Sequence, residues 1–240
     1  MRTLVAPIVF NEMPRALTLW DKFRLSPAHE TCDFVMMNDG SEDGFEKACR
    51  EKGIPILSHS KRQGVGAAIR TVLKEGLSKG YDSVVIMAGN TKDDPAQIPL
   101  LLEPLLKDKA DFVQGSRFLK GGRYDGLPFH RLLATRWLHP ALMSFFSGKK
   151  VTDSTNGFRA LKLALLRDPR IQIDQPWLDR YELEPYLLFK TLTCGFRYQE
   201  IPVSKIYPLS DKMPYSKMKP WSDWWSILRP VFLLGLGLRK

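Results

Sequence analysis

Residues Ser83 to Met87 read Ser-Val-Val-Ile-Met, an apolar run with no alternating polar position. A strand of that kind has both faces covered, as the inner strands of parallel sheets do. Just upstream, Val65, Ala68, Ile69, Val72, Leu73 and Leu77 fall at i, i+3, i+4, i+7, i+8 and i+12, the apolar stripe of an amphipathic helix. A helix feeding a buried strand constrains the chain to a layered α/β arrangement. The rest of the first half repeats the alternation. Strands are expected at Leu4 to Phe10, Asp33 to Met37, Ile54 to Leu57 and Asp111 to Gln114, and helices at Pro14 to Arg24, Glu42 to Lys52 and Pro95 to Leu106. This order predicts a doubly wound, mostly parallel twisted sheet with helices on both faces.

The second half is less regular. A helix is expected from Arg131 to Phe146, with Leu133, Trp137, Ala141 and Phe145 on one face, another from Glu182 to Thr193, and a strand from Arg197 to Lys205. There is no repeat and no evident linker. The simplest division is one domain, residues 1–206, followed by a basic, Trp-rich extension, 207–240.

Composition excludes some classes. A hydrophobic share of 44% argues against disorder, and a formal charge of +10 suits an anionic partner. The basic residues are spread along the chain with no nucleic-acid motif, so nucleic acid is not the expected partner. Cys32, Cys49 and Cys194 are scattered, which speaks for a reducing compartment and against a disulfide framework or a zinc site. No stretch reaches the roughly 18 apolar residues of a membrane span, and the N-terminus has no secretory pattern.

In α/β sheets, ligands sit beyond the carboxyl ends of the strands. Five polar clusters fall there: Asn11-Glu12, Asn38-Asp39-Gly40-Ser41, Arg62-Gln63-Gly64-Val65-Gly66, Ala88 through Asp94, and Gly115-Ser116-Arg117. Each alone has a plainer reading. Asn-Asp-Gly-Ser is a good turn, and Gly64-x-Gly66 is either a phosphate cradle or a tight strand-to-helix loop.

Together with Ala6 through Glu12, Asp153-Ser-Thr-Asn-Gly-Phe-Arg159, Gly195 to Pro202 and Ser216-Lys217, these clusters resemble the inverting GT-A glycosyltransferases of family 2. The similarity is greatest to the dolichol- and polyprenyl-phosphate sugar synthases and covers roughly residues 3 to 220. The resemblance implies a GT-A fold, a UDP- or GDP-sugar donor and a lipid-phosphate acceptor. It implies that Pro7, Asn11 and Glu12 line the nucleoside pocket, that Asp39 bonds the base, and that Gly64 closes over the nucleotide. Arg117 and Arg131 would hold the acceptor phosphate, and Arg159 and Lys217 would face phosphate groups.

One departure stands out. Where that family has Asp-x-Asp and then Gln, this chain has Ala88, Asn90 and Lys92. Two carboxylates are gone and a cation has arrived, which weakens a Mg²⁺ or Mn²⁺ site. Three readings stay open here. Lys92 replaces the metal and neutralises the donor diphosphate; Asn90 and Asp93, with Asp94, supply altered metal ligands; or the protein binds nucleotide sugar without turnover. A phosphate acceptor is already anionic, because its second pKa is about 6. A hydroxyl acceptor, the alternative substrate, would need a base, for which Asp94 or Asp93 is the candidate. A nucleotidyltransferase is disfavoured, because Phe10-Asn11-Glu12 occupies the place of its Gly-rich loop.

In the extension, Trp221, Trp224 and Trp225 precede the apolar run Val231 to Leu238 and lie among lysines and arginines. That mixture suits a membrane interface, or else a helix packed on the catalytic domain or a self-association surface. Peripheral attachment on the cytoplasmic face of a membrane is the expectation, with a membrane-spanning partner or a homo-oligomer as possible company.

Overall fold

The structure, a computed structural model, describes residues 1–207 and 222–239. Strands β1 (Thr3–Val9), β2 (Asp33–Phe34), β3 (Met36–Asn38), β4 (Ile56–Ser58), β5 (Ser83–Ala88), β6 (Phe112–Ser116), β8 (Arg159–Lys162) and β9 (Tyr198–Pro202) form one sheet, ordered β4-β3-β1-β5-β8-β6-β9 with β2 beside β1. A small second sheet pairs β7 (Arg123–Asp125) with β10 (Ser204–Ile206). All main-sheet pairs are parallel except those of β8, which runs antiparallel between β5 and β6. The sheet is therefore mostly parallel, as the sequence pattern predicts. β8 escapes that pattern because Arg159 and Lys162 at its ends mask only two apolar residues between them.

Strand faces alternate with period two, and the two cores follow from that. Leu4, Ala6, Val84, Ile86 and Phe112 point to one side, under helices α3 (Val65–Ser78) and α7 (Leu183–Thr193). Val5, Val9, Val85, Met87 and Val113 point to the other, under α1 (Met13–Arg24), α2 (Phe45–Glu51) and α4 (Ile98–Leu106). All three cysteines are free.

The strand expected at Asp33 to Met37 is broken at Val35. The cause is across the ladder. Val35 N–H donates to the Val5 carbonyl at 3.0 Å. In a parallel register the next bond would run from residue 7 to the Val35 carbonyl, and Pro7 has no N–H to give. Pro7 is thus buried inside β1, and it does not line the cleft described below.

The helix expected from Arg131 to Phe146 is a longer rod. It comprises α5 (Phe129–Leu133), a π-wound stretch (Ala134–Leu138) and α6 (His139–Ser147), with helical backbone at both junctions. Helix α8 (Ser222–Gly235) of the C-terminal segment packs on α6 and α7, and its Val231 and Leu234 join the core. Gly235 makes this possible, since a Cβ there would lie 2.3 Å from the Phe146 ring. Buried His139 ties the same elements, with Nδ1 2.6 Å from Ser154 Oγ and Nε2 3.0 Å from the Ile227 carbonyl.

The start of α3 explains its glycines. A Cβ on Gly66 would meet the Leu178 carbonyl at 2.0 Å and the Arg180 carbonyl at 2.6 Å, and one on Gly64 the Asp179 carbonyl at 2.3 Å. The Ala67 N–H donates to the Asp179 carbonyl at 2.9 Å. The tight strand-to-helix loop read from Gly64-x-Gly66 is thus packed backbone on backbone. Gly66→Ala must therefore move backbone, and is expected to lower stability by about 1–3 kcal/mol in urea or thermal melts. Gly80→Ala, in open space at φ +69°, serves as the comparison, because it adds backbone strain without a clash.

Candidate active site

A cleft of about 480 Å³ opens at the carboxyl ends of β1, β3 and β5. Its floor comes from the strand ends (Ile8, Ile86, Ala88), its near wall from Asp39 and the Arg62–Val65 loop, and its far wall from Arg180, Tyr181 and Glu184. Lys92, Arg131 and Lys205 give it a basic side. At the mouth, the Arg62 guanidinium lies 4.3 Å from the centre of the Phe10 ring.

Asp39 is buried and organises the near wall. Its Oδ1 accepts the Gln63 N–H at 2.9 Å and lies 2.8 Å from His59 Nδ1, while Oδ2 accepts the Gly64 N–H at 2.9 Å. A carboxylate has about four lone-pair directions, so one remains for a ligand. Asn11, at φ +50°, ties the loop after β1 to the turn after β3. Its N–H donates to Ser41 Oγ at 2.9 Å and its Oδ1 accepts the Glu42 N–H at 2.8 Å. Asn11 does not line the cleft, whereas Glu12 does, with Oε2 3.0 Å from Arg15 NH1.

The loop after β5 departs from the expected metal site. Ala88 offers no side-chain oxygen. Asn90 Oδ1 accepts the Lys92 N–H at 3.1 Å. Asp93 is fully buried: Oδ2 accepts the Ala88 N–H at 2.9 Å, and Oδ1 accepts from Lys205 Nζ at 2.6 Å. Asp94 is exposed, and its Oδ1 caps the following turn at Ala96 N–H. Among the described residues no group of three or more His, Cys, Asp or Glu side chains comes together to hold a metal. Within 88–94, Asn90 lines the cleft and neither aspartate does, so the loop presents no carboxylate there to a cation or as a base.

Lys92 does line it. Burial is the main influence on its ammonium and lowers its pKa, Glu12 and Asp93 oppose that, and Lys205 and Arg15 add to it, leaving a value of about 8. Its Nζ lies 5.4 Å from the centre of the Tyr207 ring.

Two arginines expected at phosphate do not line the cleft, although Arg117 borders the smaller pocket described below. Arg117 is buried, with Nε 2.7 Å and NH2 2.8 Å from the two oxygens of Asp153. Burial by itself would lower its pKa, but the Asp153 carboxylate outweighs that and holds it raised. Arg159 is 1% exposed and bonds the Asn156 and Glu184 carbonyls at 2.6 and 3.0 Å. The Asp153–Arg159 segment is therefore a structural seam, although Gly157 reaches the cleft wall. Its amides at Thr152 and Asp153 are held by Glu200, whose carboxyl burial pushes toward higher pKa. Lys217 lies outside the described residues. Arg131 alone of the expected acceptor-side arginines lines the cleft.

Arg180, Tyr181, Lys205 and Asp223 also line the cleft and carried no expectation, while Arg62 lines it as part of the expected Arg62–Gly66 cluster. Lys205 was legible in one respect. It alternates with buried Val203 along the strand after Pro202, so it points inward. Its partners, Asp93 and Asn156 (3.1 Å), are distant in sequence and gave no signal.

Beside the cleft, a smaller apolar pocket of about 90 Å³ lies between the Phe129–Ser147 rod and α8. Leu127, Ala134, Leu138, Trp224 and Leu228 form its walls, and Arg131, Lys205 and Tyr207 line both spaces.

The glycosyl transferase family 2 model matches residues 5–169, so this chain belongs to that family and is a glycosyltransferase. It is 31% identical over 213 residues to undecaprenyl-phosphate mannosyltransferase of Micrococcus luteus, covering 85% of this chain and 83% of that one. It is 26% identical over 214 residues to polyprenol monophosphomannose synthase of Mycolicibacterium smegmatis, covering 85% and 77%. Its fold is that of glucosyl-3-phosphoglycerate synthase from Mycobacterium tuberculosis, at TM-score 0.71 and 18% identity, over 100% of this chain and 80% of that one. That protein was solved with Mn²⁺, UDP and phosphoglyceric acid.

Because Arg117 is sealed with Asp153, Asp153→Asn leaves a buried guanidinium short of its counter-charge. Stability is expected to fall by about 3–5 kcal/mol in denaturant melts. Replacing both partners with apolar residues should recover much of that loss.

Proposed function

We propose that the protein transfers a hexose from a nucleoside diphosphate sugar to a polyprenyl phosphate, and that the Lys92 ammonium takes the charge of the departing diphosphate. The observation behind this reading is the position of Lys92, in the cleft beyond β5, where the neighbouring oxygens are engaged within the protein. A lysine serves phosphate as a point charge. The nucleoside would lie against Asp39 and the Arg62–Phe10 pair. Mn²⁺ in the M. tuberculosis synthase structure makes a metal the second reading for this chain.

The names of the two polyprenyl-phosphate relatives support the acceptor. So does the apolar pocket that shares Arg131 with the cleft, a guanidinium fork suited to phosphate beside walls suited to a hydrocarbon chain. An oxygen of the acceptor phosphate attacks the anomeric carbon as the bond to the donor's β-phosphate oxygen breaks. The configuration inverts and the nucleoside diphosphate leaves with the electron pair. The transition state resembles an oxocarbenium ion, so holding the reactants in line and stabilising the diphosphate is the protein's task. A phosphate acceptor has no proton to lose at neutral pH, in keeping with Asp93 and Asp94 lying outside the cleft lining. Attachment to the membrane at its surface follows from such an acceptor. Among the described residues no helix is long and apolar enough to cross a membrane.

Lys92 is charged below about pH 8 and neutral above it. With donor held below saturation, kcat/KM is expected to fall as pH rises through about 8, and Lys92→Arg should move that limb upward. Lys92→Ala should cost about a hundred- to a thousandfold in kcat. Activity undiminished by EDTA agrees with the lysine reading; complete loss restored by Mn²⁺ overturns it. A thermal-shift screen of UDP-, GDP- and dTDP-sugars identifies the donor. A shift with none of them would sink the whole assignment.

A further inference from the structure

The helical rod from Phe129 to Ser147 has an apolar face that nothing among the described residues covers. Phe129, Leu133, Trp137, Ala141 and Phe145 recur at every fourth position, and the four large ones are 73, 46, 63 and 79% exposed. In plain α-helix, four residues overshoot one turn by about 40°, so a row of this length would wind off its face. The π-wound stretch Ala134–Leu138 takes more residues per turn and brings the row back. The sequence periodicity would bury this face; the structure turns it to solvent. At the far end of the rod, Phe146 packs on Phe232 of α8, and the exposed Leu236 and Leu238 follow that helix. Single apolar residues on a surface are ordinary, but an aligned row marks an interaction site.

The charge pattern indicates what covers it. No acidic residue occurs between Asp125 and Asp153, a segment that contains Arg131, Arg136, Lys149 and Lys150. None occurs from Trp224 to Arg239 either. The Arg136 guanidinium sits 5.5 Å from the Trp137 ring. A face of Trp, Phe and Leu, rimmed by cations and without carboxylates, complements an anionic bilayer surface. A second copy would set like charges against each other.

We propose that this rod, with the end of α8, lies in the interface of a membrane carrying anionic headgroups. The proposal leans on the polyprenyl-phosphate reading for its purpose alone. The rod that carries the row also supplies Arg131 to the cleft and one wall of the apolar pocket, so docking this face would bring a lipid-borne phosphate to Arg131.

The test uses the full chain and phosphatidylcholine vesicles with or without phosphatidylglycerol, free of isoprenoid phosphate and sugar nucleotide. The chain should sediment with the phosphatidylglycerol vesicles, and less so at high salt. Trp137→Glu combined with Phe145→Glu should cut partitioning about tenfold or more without lowering the melting temperature. Leu25→Glu, at an 88% exposed position after α1, should bind like the parent. Equal binding by parent and double variant overturns the proposal. So does a parent that binds no vesicle, or one that is a dimer in light scattering and becomes monomeric in the double variant without vesicle binding. Because the vesicles hold no substrate, these outcomes are independent of the donor screen, which alone decides the catalytic reading.

Discussion

The Lys205 ammonium joins three parts of the chain that are far apart in sequence. It arrives on β10, bonds Asp93 in the loop after β5, and bonds Asn156 in the segment before β8. A buried ammonium is tolerated only with counter-charge and hydrogen bonds, and here it has both. The geometry of the cleft depends on that arrangement. With Asp93 drawn inward to Lys205 and to the Ala88 amide, the loop turns so that the Lys92 side chain, rather than a carboxylate, faces the cleft. The Arg117–Asp153 pair does the same for the neighbouring segment, fixing the loop from which Gly157 reaches the wall.

This arrangement recasts the departure at Ala88 and Asn90. In the sequence it reads as charge moved along one loop, with Asp93 and Asp94 ready to replace lost ligands. In the fold, the two aspartates leave the site in opposite directions, Asp93 into the interior and Asp94 to a turn cap. The net result is that Lys92, rather than either aspartate, faces the cleft on its basic side.

The fold was largely legible in the sequence because local rules dominate it. The run at Ser83–Met87 is the central strand, and the stripe from Val65 to Leu77 is α3. Pro7 shows the limit of such rules, since its effect falls on Val35, its partner across the ladder. The site was legible in position and less so in role. Residue types such as Arg and Asp in loops after strands suit both ligand binding and buried ion pairs. Only burial separates Arg131, which reaches the cleft, from Arg117 and Arg159, which brace its walls. The amphipathic rod carried the opposite ambiguity, because periodicity locates an apolar face without saying whether protein or something else covers it.

The glycines at the start of α3 have one more consequence. The cleft wall there is main chain resting on main chain, Gly66 against the carbonyls of Leu178 and Arg180. Peptide groups cannot be exchanged for larger or smaller ones as side chains can. The separation between the α3 loop and the Asp179 segment is thus a fixed gauge, and adjustment of the cleft's width falls to side chains such as Phe10, Arg62 and Tyr181.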